Sequence, residues 1–163
     1  MTNTTPNAQP ESIVFVCQSN RGKSAMAAGL FAKRAADAGL SVHIDSAGTR
    51  AEDGTTYNEE SAESLARVSA TMGAPDQAGP QRATAEMLGS ADRVIVVGGA
   101  DLGEVSGFDA ATSAHVSRWT PAEPSEEGFE GAERMDLLRD RIDAYVTDLV
   151  DEITAAHGDA ENS

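Results

Sequence analysis

The chain predicts an α/β fold: a small doubly wound sheet of four parallel strands with helices on both faces. Two observations predict it. Short apolar runs alternate with stretches of helical periodicity, the pattern of βαβ units with right-handed crossovers. The first run, Ser12-Ile13-Val14-Phe15-Val16, is unbroken, as in a strand buried on both faces of a parallel sheet.

The elements follow in order. After the first strand, Ser24 to Ala38 has Met26, Leu30, Phe31 and Ala35 at helical spacing, and Gly39 stops it. Ser41-Val42-His43-Ile44-Asp45 is a second strand, leading into Ser46-Ala47-Gly48-Thr49. Asn58 is an N-cap for a helix over Asn58–Met72. Thr84–Leu88 is a short helical piece. Arg93-Val94-Ile95-Val96-Val97 is a third strand closed by Gly98-Gly99, and His115–Trp119 a fourth. The last helix spans about Gly131 to Ala156, with Leu138, Ile142, Tyr145, Leu149 and Ile153 on one face. Residues 1–11 read as a disordered lead-in, 12–157 as one domain and 158–163 as an acidic tail.

At 163 residues the chain has room for one core of ordinary size. A formal net charge of -15 argues against nucleic acid and anionic membranes as partners. No apolar stretch approaches the ~20 residues of a membrane span. The polar, uncharged start has no signal-peptide pattern, and a lone thiol suits a reducing compartment, so a cytoplasmic location is expected. His43, His115 and His157 are scattered, and no metal site is expected.

Doubly wound folds place their sites at strand carboxyl ends, where Cys17, Ser46, Gly98 and Trp119 stand. Cys17, the chain's one cysteine, opens the turn Cys17-Gln18-Ser19-Asn20-Arg21-Gly22-Lys23-Ser24 ahead of the first helix. A helix N-terminus aims unsatisfied N–H groups at its loop and makes it an anion site. A thiol there, with Lys23 and Arg21 beside it, is placed for nucleophilic attack on a tetrahedral oxyanion. Gly22-Lys23-Ser24 also invites a nucleotide reading, but the first glycine of that motif is replaced by Cys17. The third strand ends in Gly98-Gly99 where a magnesium-holding aspartate is needed.

Cysteine, five residues, a cation and serine, with Asn20 fourth, resembles the low-molecular-weight protein tyrosine phosphatases and the arsenate reductases that share their fold. Ser46-Ala47-Gly48-Thr49 is similar to that family's segment after strand two, whose serine braces the loop asparagine. Ala91-Asp92-Arg93-Val94-Ile95-Val96 resembles its third strand. Trp119, Glu123-Pro124, Glu133-Arg134-Met135 and Arg139-Asp140 resemble the carboxylate-proline loop and last helix of the arsenate reductase branch. The resemblance covers roughly residues 12 to 153, and the segment from Gly73 to Ala85 matches poorly.

The departures narrow the reading. Lys23 stands where the phosphatases have arginine, offering a point charge in place of a planar fork. The proline-linked acid is Glu123, not aspartate. Neither Gly48-Thr49-Arg50-Ala51-Glu52 after Ser46 nor Ser125-Glu126-Glu127-Gly128 after Pro124 holds an aromatic residue to grip a phosphotyrosine ring. The resemblance therefore implies an arsenate reductase. The amides of Gln18, Ser19, Asn20, Arg21, Gly22, Lys23 and Ser24 would bind the oxyanion. Cys17 would attack, Lys23 neutralise charge, Ser24 support the sulfur and Glu123 supply a proton. Asn20 and Ser46 would brace the loop.

With no second cysteine, an external thiol must resolve the adduct. The Ala-, Gly-, Arg- and Asp-rich, Lys-poor composition fits a high-GC genome of actinobacterial type, and so mycothiol as the co-substrate. The resemblance implies a mycoredoxin- or glutaredoxin-like protein downstream. Arg21 or Arg50, as rim arginines, are expected to contact the thiol's carboxylate. The alternatives are a phosphatase acting on phosphate esters and a non-catalytic oxyanion-binding protein.

Overall fold

The computed structural model describes residues 11–109 and 115–162, with side chains to residue 156. Four parallel strands lie in the order β2-β1-β3-β4. They are β1 (Glu11–Cys17), β2 (Val42–Gly48), β3 (Arg93–Val97) and β4 (Val116–Trp119). β1 pairs with β2 from Glu11↔Val42 to Cys17↔Gly48 and with β3 from Ile13↔Arg93 to Val16↔Val96. These registers bring Cys17, Gly48 and Val97 to one end of the sheet.

Alternation along the strands divides the core. Ile13, Phe15, Ile95 and Val97 face α1 (Lys23–Asp37) and α4 (Gly131–Asn162). Val14, Val16, Val94 and Val96 face the opposite layer, which contains Leu88 of α3 (Ala85–Ser90) and Leu102. The unbroken apolar runs thus reflect burial on both faces. Trp119 is core: its ring lies 5.5 Å from Phe15 and stacks on Tyr145 at 5.3 Å.

Two helix boundaries differ from the sequence expectation. α2 spans Glu59–Ala66 and stops well short of Met72. Ser69 turns left-handed at φ 62, and the chain then runs back along α1, where Gly73 N donates to Ala25 O at 2.9 Å. A Cβ on Gly29 would lie 1.8 Å from Thr71 O, so this close passage requires glycine in α1. α4 continues past Ala156 to Asn162, through most of the segment expected to be an acidic tail. Of the expected lead-in, only Glu11 is described, and it is already strand. Among the described residues, no helix is long and apolar enough to cross a membrane.

Asp136 fastens α2 to α4. It accepts from Ser64 Oγ at 2.6 Å, from Arg67 Nη2 at 2.6 Å and from Arg139 Nη1 at 3.2 Å. The Arg67 hydrogen bond holds its carboxyl below the ordinary aspartate range. A carboxyl lowered in the folded state adds stability that is complete above its unfolded value and is lost as pH falls through its folded one. Asp136→Asn should therefore lower the melting temperature at pH 7, with the gap to wild type narrowing in acid. A pH-independent gap in thermal unfolding would contradict this assignment.

Candidate active site

β1 ends at Cys17 and α1 begins at Lys23, so residues 18–22 form the loop between them. Gly22 offers no capping side chain to the first amides of α1, which leaves them directed at the loop. Cys17 Sγ is buried beneath this loop, 3.0 Å from Ser24 Oγ and 3.3 Å from the donating amide of Asn20. Ser24 Oγ accepts from Asn20 Nδ2 at 2.8 Å, and its contact with Ala47 O is long at 3.4 Å. The single hydroxyl proton is thus best directed at the sulfur. The Ser24 hydroxyl and the Asn20 amide thus converge on the sulfur.

Asn20 organises the loop. It is fully buried at φ 59, a left-handed conformation that asparagine adopts more readily than most residues. Its Nδ2 donates to Ser24 Oγ and to Ser46 Oγ at 3.0 Å. Its Oδ1 accepts from Gln77 Nε2 at 3.1 Å and from the Gln81 amide at 3.0 Å. Both amide protons and both lone-pair positions are engaged.

Gln77 and Gln81 come from the poorly matching segment, which now has a role. Gln77 Oε1 accepts from Ser46 Oγ at 2.9 Å, and Gln81 Nε2 donates to Ser46 O at 2.9 Å. No periodicity marks these glutamines. Their contacts with Asn20 and Ser46 emerge only in the folded chain. Gly48 is also required: a Cβ there would lie 2.5 Å from Gln18 O. Beside it, Thr49 N donates to Cys17 O at 2.9 Å and Arg50 N to Gln18 O at 2.7 Å.

Cys17, Gln18, Ser19, Gly22 and Lys23 line a pocket of about 350 Å³ with Val97, Gly99 and Ala100. Lys23 Nζ pairs with Glu123 Oε2 at 2.9 Å, and Arg134 Nη1 stands 3.4 Å from Glu123 Oε1. The Arg21 and Arg50 side chains are engaged elsewhere: Arg21 Nε donates to Thr56 O at 2.6 Å, and Arg50 Nη2 pairs with Glu104 at 2.6 Å. A larger cavity, about 810 Å³, adjoins Arg93, Trp119 and Tyr145 and shares no residue with the loop. Among the described residues, no group of three His, Cys, Asp or Glu side chains is placed to hold a metal.

Gln77→Ala would leave the Asn20 and Ser46 groups short of partners, at a cost of about 1–3 kcal/mol for a buried polar group. It should lower the melting temperature and weaken inorganic phosphate binding by calorimetric titration. Unchanged phosphate affinity would show that Gln77 does not position the loop.

The sequence model of the low molecular weight phosphotyrosine protein phosphatase family matches residues 12–155. A mutant of YwlE from Bacillus subtilis has a similar structure, with TM-score 0.73 and 22% identity over 88% of this chain and 99% of that one. A low molecular weight phosphotyrosine phosphatase from Vibrio cholerae gives TM-score 0.74 and 17% identity over 88% and 97%. A thioredoxin-dependent arsenate reductase from Corynebacterium glutamicum gives TM-score 0.67 and 21% identity over 92% of this chain and 65% of that one. At these identities the structures establish the fold, which includes both phosphatases and an arsenate reductase. The match from the first strand through nearly all of the last helix's apolar face decides the family: the chain belongs to the low molecular weight phosphotyrosine protein phosphatases.

Proposed function

We propose that this protein is an arsenate reductase of the transferase type, in which an external thiol completes the reaction that Cys17 begins. One observation carries the reading. The pocket over Cys17 is walled by loop residues, two small residues and Val97, with Lys23 as the cation and no aromatic residue in the lining. That enclosure suits a bare tetrahedral oxyanion better than an aryl ester, whose ring needs a wall to stack on.

In the proposed reaction the loop amides and Lys23 bind arsenate. Cys17 thiolate attacks arsenic, forming an S–As bond as one hydroxyl leaves. That hydroxyl takes a proton and departs as water. Glu123 is our candidate proton donor: released from Lys23 when the lysine turns to the oxyanion, its carboxylate takes up a proton from water and passes it to the departing oxygen. A second thiol then displaces Cys17 from arsenic, which stays at the +5 level, and regenerates the enzyme. Reduction follows outside this chain, when a redoxin thiol attacks the conjugate's sulfur and arsenic leaves as arsenite. The chain has one cysteine, which supports an external resolving thiol, and its composition supports mycothiol. A second reading, hydrolysis of a phosphate ester through the same Cys17, is supported by the family match.

Arsenate, mycothiol and a mycoredoxin recycling system should together consume reductant in proportion to enzyme. Absence of consumption, with efficient hydrolysis of p-nitrophenyl phosphate, would replace the first reading with the second. Cys17→Ser should abolish turnover while retaining phosphate binding, and turnover in that variant would defeat the mechanism. Glu123→Gln should slow adduct formation by about 10²-fold or more if it donates the proton, as general acids do. An unchanged single-turnover rate would remove it from that role.

A further inference from the structure

We propose that Glu123, anchored by Arg134, is a built-in competitor for Lys23, and that oxyanion binding is a partner exchange at this lysine. Lys23 Nζ stands 2.9 Å from Glu123 Oε2 while Arg134 Nη1 stands 3.4 Å from the other oxygen, Oε1. One carboxylate thus spans two cations. Its backbone is fixed, because Glu123 O accepts from Glu126 N at 3.1 Å in the turn that Pro124 opens.

Lys23 stands between two adjoining pockets. One lies over Cys17; the other, about 330 Å³, is lined by Glu123, Arg134, Asn58 and Ser61 among others. Lys23 lines both, whereas Cys17 lines only the first and Glu123 only the second. The lysine's end passes Gly98, where a Cβ would lie 3.4 Å from both Cδ and Nζ. A rotation about the lysine's flexible stem therefore carries the charge from the carboxylate to an anion over the thiol. Both anions sharing one ammonium would repel each other, so binding substrate separates Lys23 from Glu123. Arg134 keeps a cation on Glu123 when Lys23 leaves, which eases the exchange. Arg134 is therefore a positioning residue that acts through Glu123.

The inference rests on the loop being an oxyanion site but not on which oxyanion turns over, so inorganic phosphate is the probe. Calorimetric titration should find that Glu123→Gln tightens phosphate binding about two- to fivefold, the range of a part-exposed ion pair. In a Lys23→Met background the same substitution should have little effect. Arg134→Leu should weaken binding in the wild type and have little effect once Glu123 is Gln. Equal effects of Glu123→Gln with and without Lys23 would mean that only net charge matters, and would overturn the exchange. So would weaker or unchanged binding in Glu123→Gln. No phosphate binding by wild type would instead sink the oxyanion-site reading itself.

A second readout does not depend on affinity. The chain has two lysines, Lys23 and Lys33, so lysine side-chain NMR gives two signals to assign. Phosphate should move the Lys23 signal of the wild type, and Glu123→Gln should move it without phosphate. A Lys23 signal insensitive to both would contradict the proposal.

Discussion

The site depends on one buried asparagine. Asn20 turns the chain left-handed between a strand and a helix, and it can stay there because all its hydrogen-bonding positions are filled. Without that turn, the amide of residue 20 would not face Cys17 Sγ, and Ser24 would not be steered toward it. The partners come from three places: Ser24 from α1, Ser46 from β2, and Gln77 with Gln81 from the segment before α3. The doubly wound topology makes this possible, since parallel strands bring β1 and β2 to the same edge in register. Local strain at residue 20 is thus sustained by tertiary structure.

Electrostatics works against this site globally and for it locally. A chain of net charge -15 repels anions at long range. Salt screens that field over about 8–10 Å. Backbone amides in the loop act at hydrogen-bond distance and are not offset by distant acids. Lys23 is tied to Glu123 and also lines the pocket over Cys17. Arginine with a planar fork would bind a phosphate more rigidly than this lysine can.

Much of this was legible in the sequence. Apolar runs marked the strands, Asn58 marked a helix start that its side chain does cap, and the Cys17 to Ser24 spacing marked the loop. Pairing of Asn20 with Ser46 followed from the family resemblance and is present at 3.0 Å. What was not legible depends on long-range contact. α2 ends early because the chain must pass Gly29 at close range, and nothing between Arg67 and Met72 signals that neighbour. Gln77 and Gln81 lie in a segment without periodicity, and their targets are far away in sequence. The Lys23–Glu123 pair joins residues whose segments meet only in the folded chain.

The central claim is that Cys17 attacks a tetrahedral oxyanion bound in the loop. Oxygen isotope exchange tests it without depending on the eventual acceptor. Inorganic phosphate labelled with oxygen-18 should lose label to water when incubated with the wild-type protein, because each attack by Cys17 expels one oxygen and each reversal admits one from water. Cys17→Ser should leave the label in place. Retention of label with the wild type, or equal loss with Cys17→Ser, would contradict the account.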